Sequence, residues 1–254
     1  MQAPRVLAAV LVFAALPFVA AAQAPVYDSA TIGCAQFREQ VRGQVRTVVG
    51  SVRRSETVGR DGVLSVRAAP DSGGLALEAW YDSLTVFRQG PEGRIEPDAE
   101  GILGGRYRGG LAADGDYVGE AAPFVPAALR DVFDFGGLLL HFFPPLPPRA
   151  LRPGGEWHDD PDLTIWRLAD SATGRGPVAR YGWTRRATWE EGVAAGDSTV
   201  RLHRSETESG ALRWREGPLG WNSSVRASVE LPAAGGRMEV VQEVTVARVP
   251  DDCR

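Results

Sequence analysis

Along the C-terminal third of the chain, hydrophobic and polar positions alternate with a period of two. In WNSSVRASVEL, Trp221, Ser223, Val225, Ala227, Val229 and Leu231 share one face, while Asn222, Ser224, Arg226, Ser228 and Glu230 share the other. That is the pattern of an antiparallel strand with one face on a core and one in water. Met238, Val240, Val244 and Val246 continue it, and RYGWTRRATW repeats it with Tyr181, Trp183, Ala187 and Trp189 on one side. Gln44 to Thr57, Val63 to Ala68 and Leu75 to Arg88 show the same theme more weakly. Turn clusters punctuate these runs: GRDG at 59–62, PDSGG at 70–74, QGPEG at 89–93, ADGD at 113–116, SATGRGP at 171–177, GVAAGD at 192–197, EGPLG at 216–220 and PAAGG at 232–236. Hairpins are predicted at each. Runs of about ten residues exceed the usual strand of five or six. The expected fold is therefore mainly β, a large curved antiparallel sheet or incomplete barrel rather than a compact sandwich. No fixed-period repeat marks a propeller or solenoid.

One stretch breaks the pattern, FDFGGLLLHFFPPLPPRALRPGGEW, from Phe133 to Trp157. Pro126 suits the first turn of a helix, and Leu129, Val132 and Phe133 recur at i, i+3, i+4 before Gly136 and Gly137 end or kink it. LLLHFF makes a second short turn or a strand, and Pro144, Pro145, Pro147 and Pro148 impose an extended exit. The piece is too short to cross a bilayer. It predicts an insert at about 124–153 that places one central helical segment on the concave face of the sheet. Leu129, Val132, Phe133, Leu139, Phe142 and Phe143, with Trp183 and Trp221 from the strands, are the candidate lining of an apolar cavity there.

The order of a helix, Phe-Phe-Pro-Pro-Leu-Pro, then Arg-Pro-Gly-Gly-Glu-Trp ending at Trp157 and a run of hairpins resembles uncharacterised exported bacterial β proteins in which a Pro-rich stretch precedes a Gly-x-x-Trp segment. More distantly, long curved strands with a central helical insert resemble the periplasmic lipoprotein-carrier superfamily. That resemblance implies a half-barrel holding an acyl chain beneath helices. The likeness covers the body of the chain in architecture and Phe142 to Trp157 in motif, and it carries over no functional residue, because none of the carriers' residues falls on a matching position.

The N-terminus changes the picture of where the chain works. Arg5, the apolar run Val6 to Val19 and Ala20-Ala21-Ala22 read as a secretory signal over residues 1–22. Cleavage after Ala24 also fits but sets Pro25 beside the scissile bond. The expectation is a periplasmic or secreted protein, with residues 23–254 as a single β-rich domain and no transmembrane segment after cleavage. Cys34 and Cys253 are the only cysteines, and an exported pair near the two ends of the mature chain predicts a structural disulfide.

Charge and chemistry narrow the function. The net charge of −4 argues against nucleic acid as a partner. All 28 basic residues are arginine, which excludes Schiff-base chemistry. In WHDDPD, His158, Asp159, Asp160 and Asp162 are candidate metal ligands. Neighbours on a strand point to opposite faces, however, so no metal site is assigned. His141, His158 and His203 stand without a Gly-x-Ser-x-Gly elbow or a His-Glu-x-x-His motif, so no catalytic residue is assigned. GILGGRYRGG lacks dinucleotide-loop spacing and reads as strand and turn glycines. No cofactor is implied. The expected function is a non-catalytic exported carrier or binder of an apolar, lipid-like molecule in the cell envelope. The alternatives are a structural or interaction protein of the envelope with a filled core and, behind both, a hydrolase with dispersed residues. The oligomeric state is open.

Overall fold

The computed structural model describes residues 23–130, 132–159, 161–195, 198–231 and 235–250. The predicted signal segment, Asp160 and Cys253 lie outside the described residues. The strands are β1 (Cys34–Val49), β2 (Val52–Asp71), β3 (Gly74–Gly90), β4 (Gly93–Ile95), β5 (Tyr107–Leu111), β6 (Tyr117–Ala121), β7 (Glu156–Asp159), β8 (Leu163–Thr173), β9 (Gly176–Ala195), β10 (Ser198–Trp214), β11 (Pro218–Leu231) and β12 (Gly236–Val249). All join one open 12-stranded sheet in the order β6-β5-β3-β2-β1-β12-β11-β10-β9-β8-β7, with β4 on β3. Each half of the chain builds its side of the sheet largely by hairpins. The halves meet where the first and last strands pair, Gln36 opposite Val249 and Val49 opposite Gly236. The edge strands β6 and β7 are only five and four residues long, while β9 beyond Arg185 runs past β8 and pairs with β10 alone.

Two expectations about local structure are corrected. GRDG is not a turn: β2 runs straight through it, and the hairpin turns instead at Gly50-Ser51, inside the predicted strand Gln44 to Thr57. Gly50 takes the left-handed conformation the turn needs, with φ of 56°. Gly59 serves close approach instead. The ring of Phe87 on β3 lies across it, and a Cβ there would stand 2.0 Å from that ring. The central helical segment is also shorter than its apolar spacing suggests. It consists of one α-turn, α1 (Ala127–Arg130), and one 3-10 turn, Leu138–His141. Gly136 and Gly137 separate the two, and the prolines from Pro144 onward stop the second from growing.

These turns still form the predicted cap. Leu129, Phe135, Leu139, Phe142, Phe143 and Leu146 are each at most 4% exposed. Each such apolar side chain contributes roughly 1.5–3 kcal/mol by leaving water. Phe142 packs edge-on against Phe37 of β1 and Trp221 of β11, at 5.7 and 5.2 Å between ring centres. The proline exit is pinned by the Tyr27 hydroxyl donating to the Pro144 carbonyl at 2.9 Å and by the Leu146 N–H donating to the Asp114 carbonyl at 2.7 Å. Phe135 meets Tyr81 on β3, and His141 meets Arg185 on β9. Those strands lie six places apart, about 29 Å on a flat sheet. Six residues span at most about 21 Å when fully extended, and four of these six are wound into the 3-10 turn. The insert thus lies across the concave face and reaches both strands through its side chains. Among the described residues, no helix is long and apolar enough to cross a membrane.

Candidate ligand-binding groove

Strand register fixes the concave face. Trp221 sits between Val246 and Leu212, all three nearly inaccessible. Successive rungs away from this point read Val244-Ser223-Gly210, Gln242-Val225-Glu208, Val240-Ala227-Glu206 and Met238-Val229-Arg204. The insert covers the first of these rungs but not the last. Val225, Ala227, Val229, Met238 and Val240 are accordingly only half-buried, on the same face as the filled core. Between them and the insert residues Phe133, Leu138 and Phe142 lies a cavity of about 310 Å³. That is at the lower end of the range for small-molecule sites and holds on the order of ten water-sized groups.

Of the eight residues expected to line a cavity, Phe133, Phe142 and Trp221 do so. Leu129, Leu139, Phe143 and Trp183 are at most 3% exposed and fill the core, with Val132 packed partly buried against it. The apolar floor was present in the sequence as the inward face of β11 and β12. Its polar wall was not foreseen, because Glu39, Arg60, Arg185, Glu208 and His141 are scattered over five segments and share no motif.

At the deep end, Arg60 donates from Nε to Glu39 Oε2 at 2.9 Å and from Nη2 to Oε1 at 2.6 Å. The Tyr81 hydroxyl donates to the same carboxylate at 2.7 Å. Burial disfavours the Arg60 charge, but Glu39 beside it more than offsets this, and the guanidinium is held firmly protonated. Burial also pushes the Tyr81 phenol well above its ordinary value. The guanidinium faces Phe133 and Phe135, 5.0 and 5.5 Å from the ring centres, so the buried pair also seats the insert. At the rim, Arg185 Nη2 donates to Glu208 Oε2 and to His141 Nδ1, both at 2.7 Å. His141 accepts in its neutral form, and burial followed by the Arg185 charge lowers its pKa from 6.5. Next along the rim, Arg204 pairs with Glu206 at 3.1 Å and lies over Trp189. This is an apolar floor with a charged wall in which Arg60 and Arg204 are held by Glu39 and Glu206, and Asp134 adds a carboxylate that accepts from the Gly137 N–H at 3.1 Å.

The remaining histidines lie outside this groove. His203 faces Glu190 at 3.2 Å on the outer surface. His158 has the Thr164 hydroxyl at 3.0 Å on Nδ1 and Glu156 at 3.4 Å on Nε2. The order hydroxyl, imidazole, carboxylate is that of a catalytic triad, but here it sits more than half exposed on an edge strand. Water-exposed side chains there supply none of the preorganised field that acyl transfer needs. Among the described residues, no three His, Cys, Asp or Glu side chains converge as metal ligands. Compared with known proteins, the chain matches no family model, and no curated protein is significantly similar to it in sequence.

Proposed function

We propose that this protein is a non-catalytic binder of an apolar, lipid-like molecule, which lies in the groove between the concave face of the sheet and the central insert. The observation that carries this reading is the unfinished core. Val225, Ala227, Val229, Met238 and Val240 continue the buried face of β11 and β12 beyond the reach of the insert and remain half-open over a cavity of about 310 Å³. Apolar surface left in water at about 25 cal/mol per Å² is a standing drive to bind something that covers it. The floor is aliphatic and the arginines of the wall are held by Glu39 and Glu206, which favours an aliphatic chain over an anion as the ligand on the floor. With an export signal, such a binder would act in the periplasm or outside the cell.

The test is uptake of a fluorescent fatty acid by the purified mature chain, paired with native mass spectrometry of protein taken from its own envelope. Ala227→Trp, which fills the groove at its centre, should abolish uptake while keeping the melting temperature within a few degrees. No uptake by the wild type and no co-purifying lipid would sink the reading. The second reading, a structural or interaction protein of the envelope, draws on the core under the insert, where Leu129, Leu139, Phe143 and Trp183 are at most 3% exposed. It predicts that Ala227→Trp changes nothing.

A further inference from the structure

On the convex face, the turn between β1 and β2 carries an arrangement that neither the fold nor the groove requires. Val48 pairs with Arg53 on β2 and Arg237 on β12, and Arg46, one rung further in, pairs with Ser55 and Glu239. Three guanidinium groups thus surround one valine on the same surface. Arg237 is matched by Glu239 at 3.2 Å. Arg46 and Arg53 make no ion pair among the described residues. At the tip, Val48 is 40% exposed on this face, and Val52, which pairs with Val49 on the opposite face of the hairpin, is 66% exposed. A protein of net charge −4 has placed unpaired arginines beside uncovered aliphatic side chains at one end of its sheet.

We infer that this tip docks end-on on an anionic lipid surface, the arginines of one face meeting headgroup phosphates and the hairpin end, with Val48 on that face and Val52 on the other, entering the interface. A soluble oxyanion would satisfy the arginines and leave the valines in water. An apolar protein partner would bury the valines and leave the arginines unmatched. An anionic bilayer satisfies both at once. Position supports the assignment, because the open rungs of the groove face the same end. Met238 and Val229, the last described floor residues, lie in the rung of Thr47, one residue from Val48 and on the opposite face. Docking there would bring the groove mouth to the membrane from which a lipid is taken. Only this last role rests on the groove reading. The docking itself is measured without any ligand.

The experiment is co-sedimentation of the mature chain with vesicles of phosphatidylcholine alone or mixed with phosphatidylglycerol. Binding to the mixed vesicles only, released in about 1 M salt where the screening length is ~3 Å, is the expected result. Arg46→Gln with Arg53→Gln should weaken it roughly 25-fold, fivefold per residue, the equivalent of about 1 kcal/mol for each basic residue near an anionic surface. Val52→Ser should weaken it several-fold without altering its salt dependence. Arg38→Gln, on the same face of β1 but about 26 Å away along the strand, should bind as wild type. Equal binding to both vesicle types, an equal loss in Arg38→Gln, or displacement by inorganic phosphate at matched ionic strength would each overturn the proposal. Fatty-acid uptake measured without vesicles reports on the groove alone, so the two readings fail separately.

Discussion

Replacing Glu39 with Leu should be among the most damaging changes in this protein, because it strands a buried charge. Glu39 and Arg60 are 2% and 6% exposed, and each of the two carboxylate oxygens accepts from the guanidinium. Without Glu39, Arg60 keeps its charge between Phe133 and Phe135 with no counterion, and breaking a buried pair in this way costs about 3–5 kcal/mol. In a domain of this size 1 kcal/mol shifts the melting temperature by about 2–4 °C, so the loss is roughly 6–20 °C. Removing both charges, as Glu39→Leu with Arg60→Met, lifts the desolvation cost along with the attraction and should restore most of the stability. Tyr81→Phe deletes only one hydrogen bond to the carboxylate and should cost about 1.5–3 kcal/mol. Urea unfolding followed by tryptophan fluorescence, with thermal melts by circular dichroism, gives the whole cycle. A double variant as unstable as Glu39→Leu alone, or a single variant within about 1 kcal/mol of wild type, would refute the idea that the pair acts as one closed unit.

Gly210→Ala should destabilise by about 1–3 kcal/mol or more, since a Cβ there would stand 2.3 Å from the buried Trp183 ring, whereas Gly110→Ala, with nothing within 4 Å, should be nearly silent in the same melts. Stability should fall as pH drops from about 6.5 through the lowered pKa of His141 and then level off, because the unfolded chain takes that proton first. Arg185, Arg204, Glu206 and Glu208 face the imidazole, and His141→Gln should flatten the dependence in that window. Cys34 and Cys253 should resist thiol labelling in the denatured, unreduced protein. Val249 pairs with Gln36, two residues from Cys34, and closing a loop of roughly two hundred residues is worth up to ~5 kcal/mol in chain entropy. Two reactive thiols would contradict the bridge.

The sequence by itself determined the class of fold and which face of each strand is wet. Alternation is a local property: once Trp221, Val225 and Val229 share a face, any sheet that buries one buries or borders the others. It also marked the insert as a cap, since a segment that rich in Leu and Phe, and too short to span a bilayer, must lie on the apolar face of its own sheet. Tertiary structure decided what no local pattern encodes. The Gly-Arg-Asp-Gly run reads as a turn on its own, yet β2 crosses it straight because β1 and β3 pair with it on both sides and Phe87 occupies the space above Gly59. The pairing of β1 with β12 joins residues some two hundred positions apart, and only that closure sets Val240 beside Val45 and so builds the groove floor. The buried Glu39–Arg60 pair and the Arg185–His141–Glu208 cluster arise the same way. Each member is an ordinary charged residue on its own strand or turn, and its partner is chosen by register and by where the insert lies across the sheet. Where the cap stops short of the last rungs is likewise a matter of three-dimensional fit, and on that fit the candidate site depends.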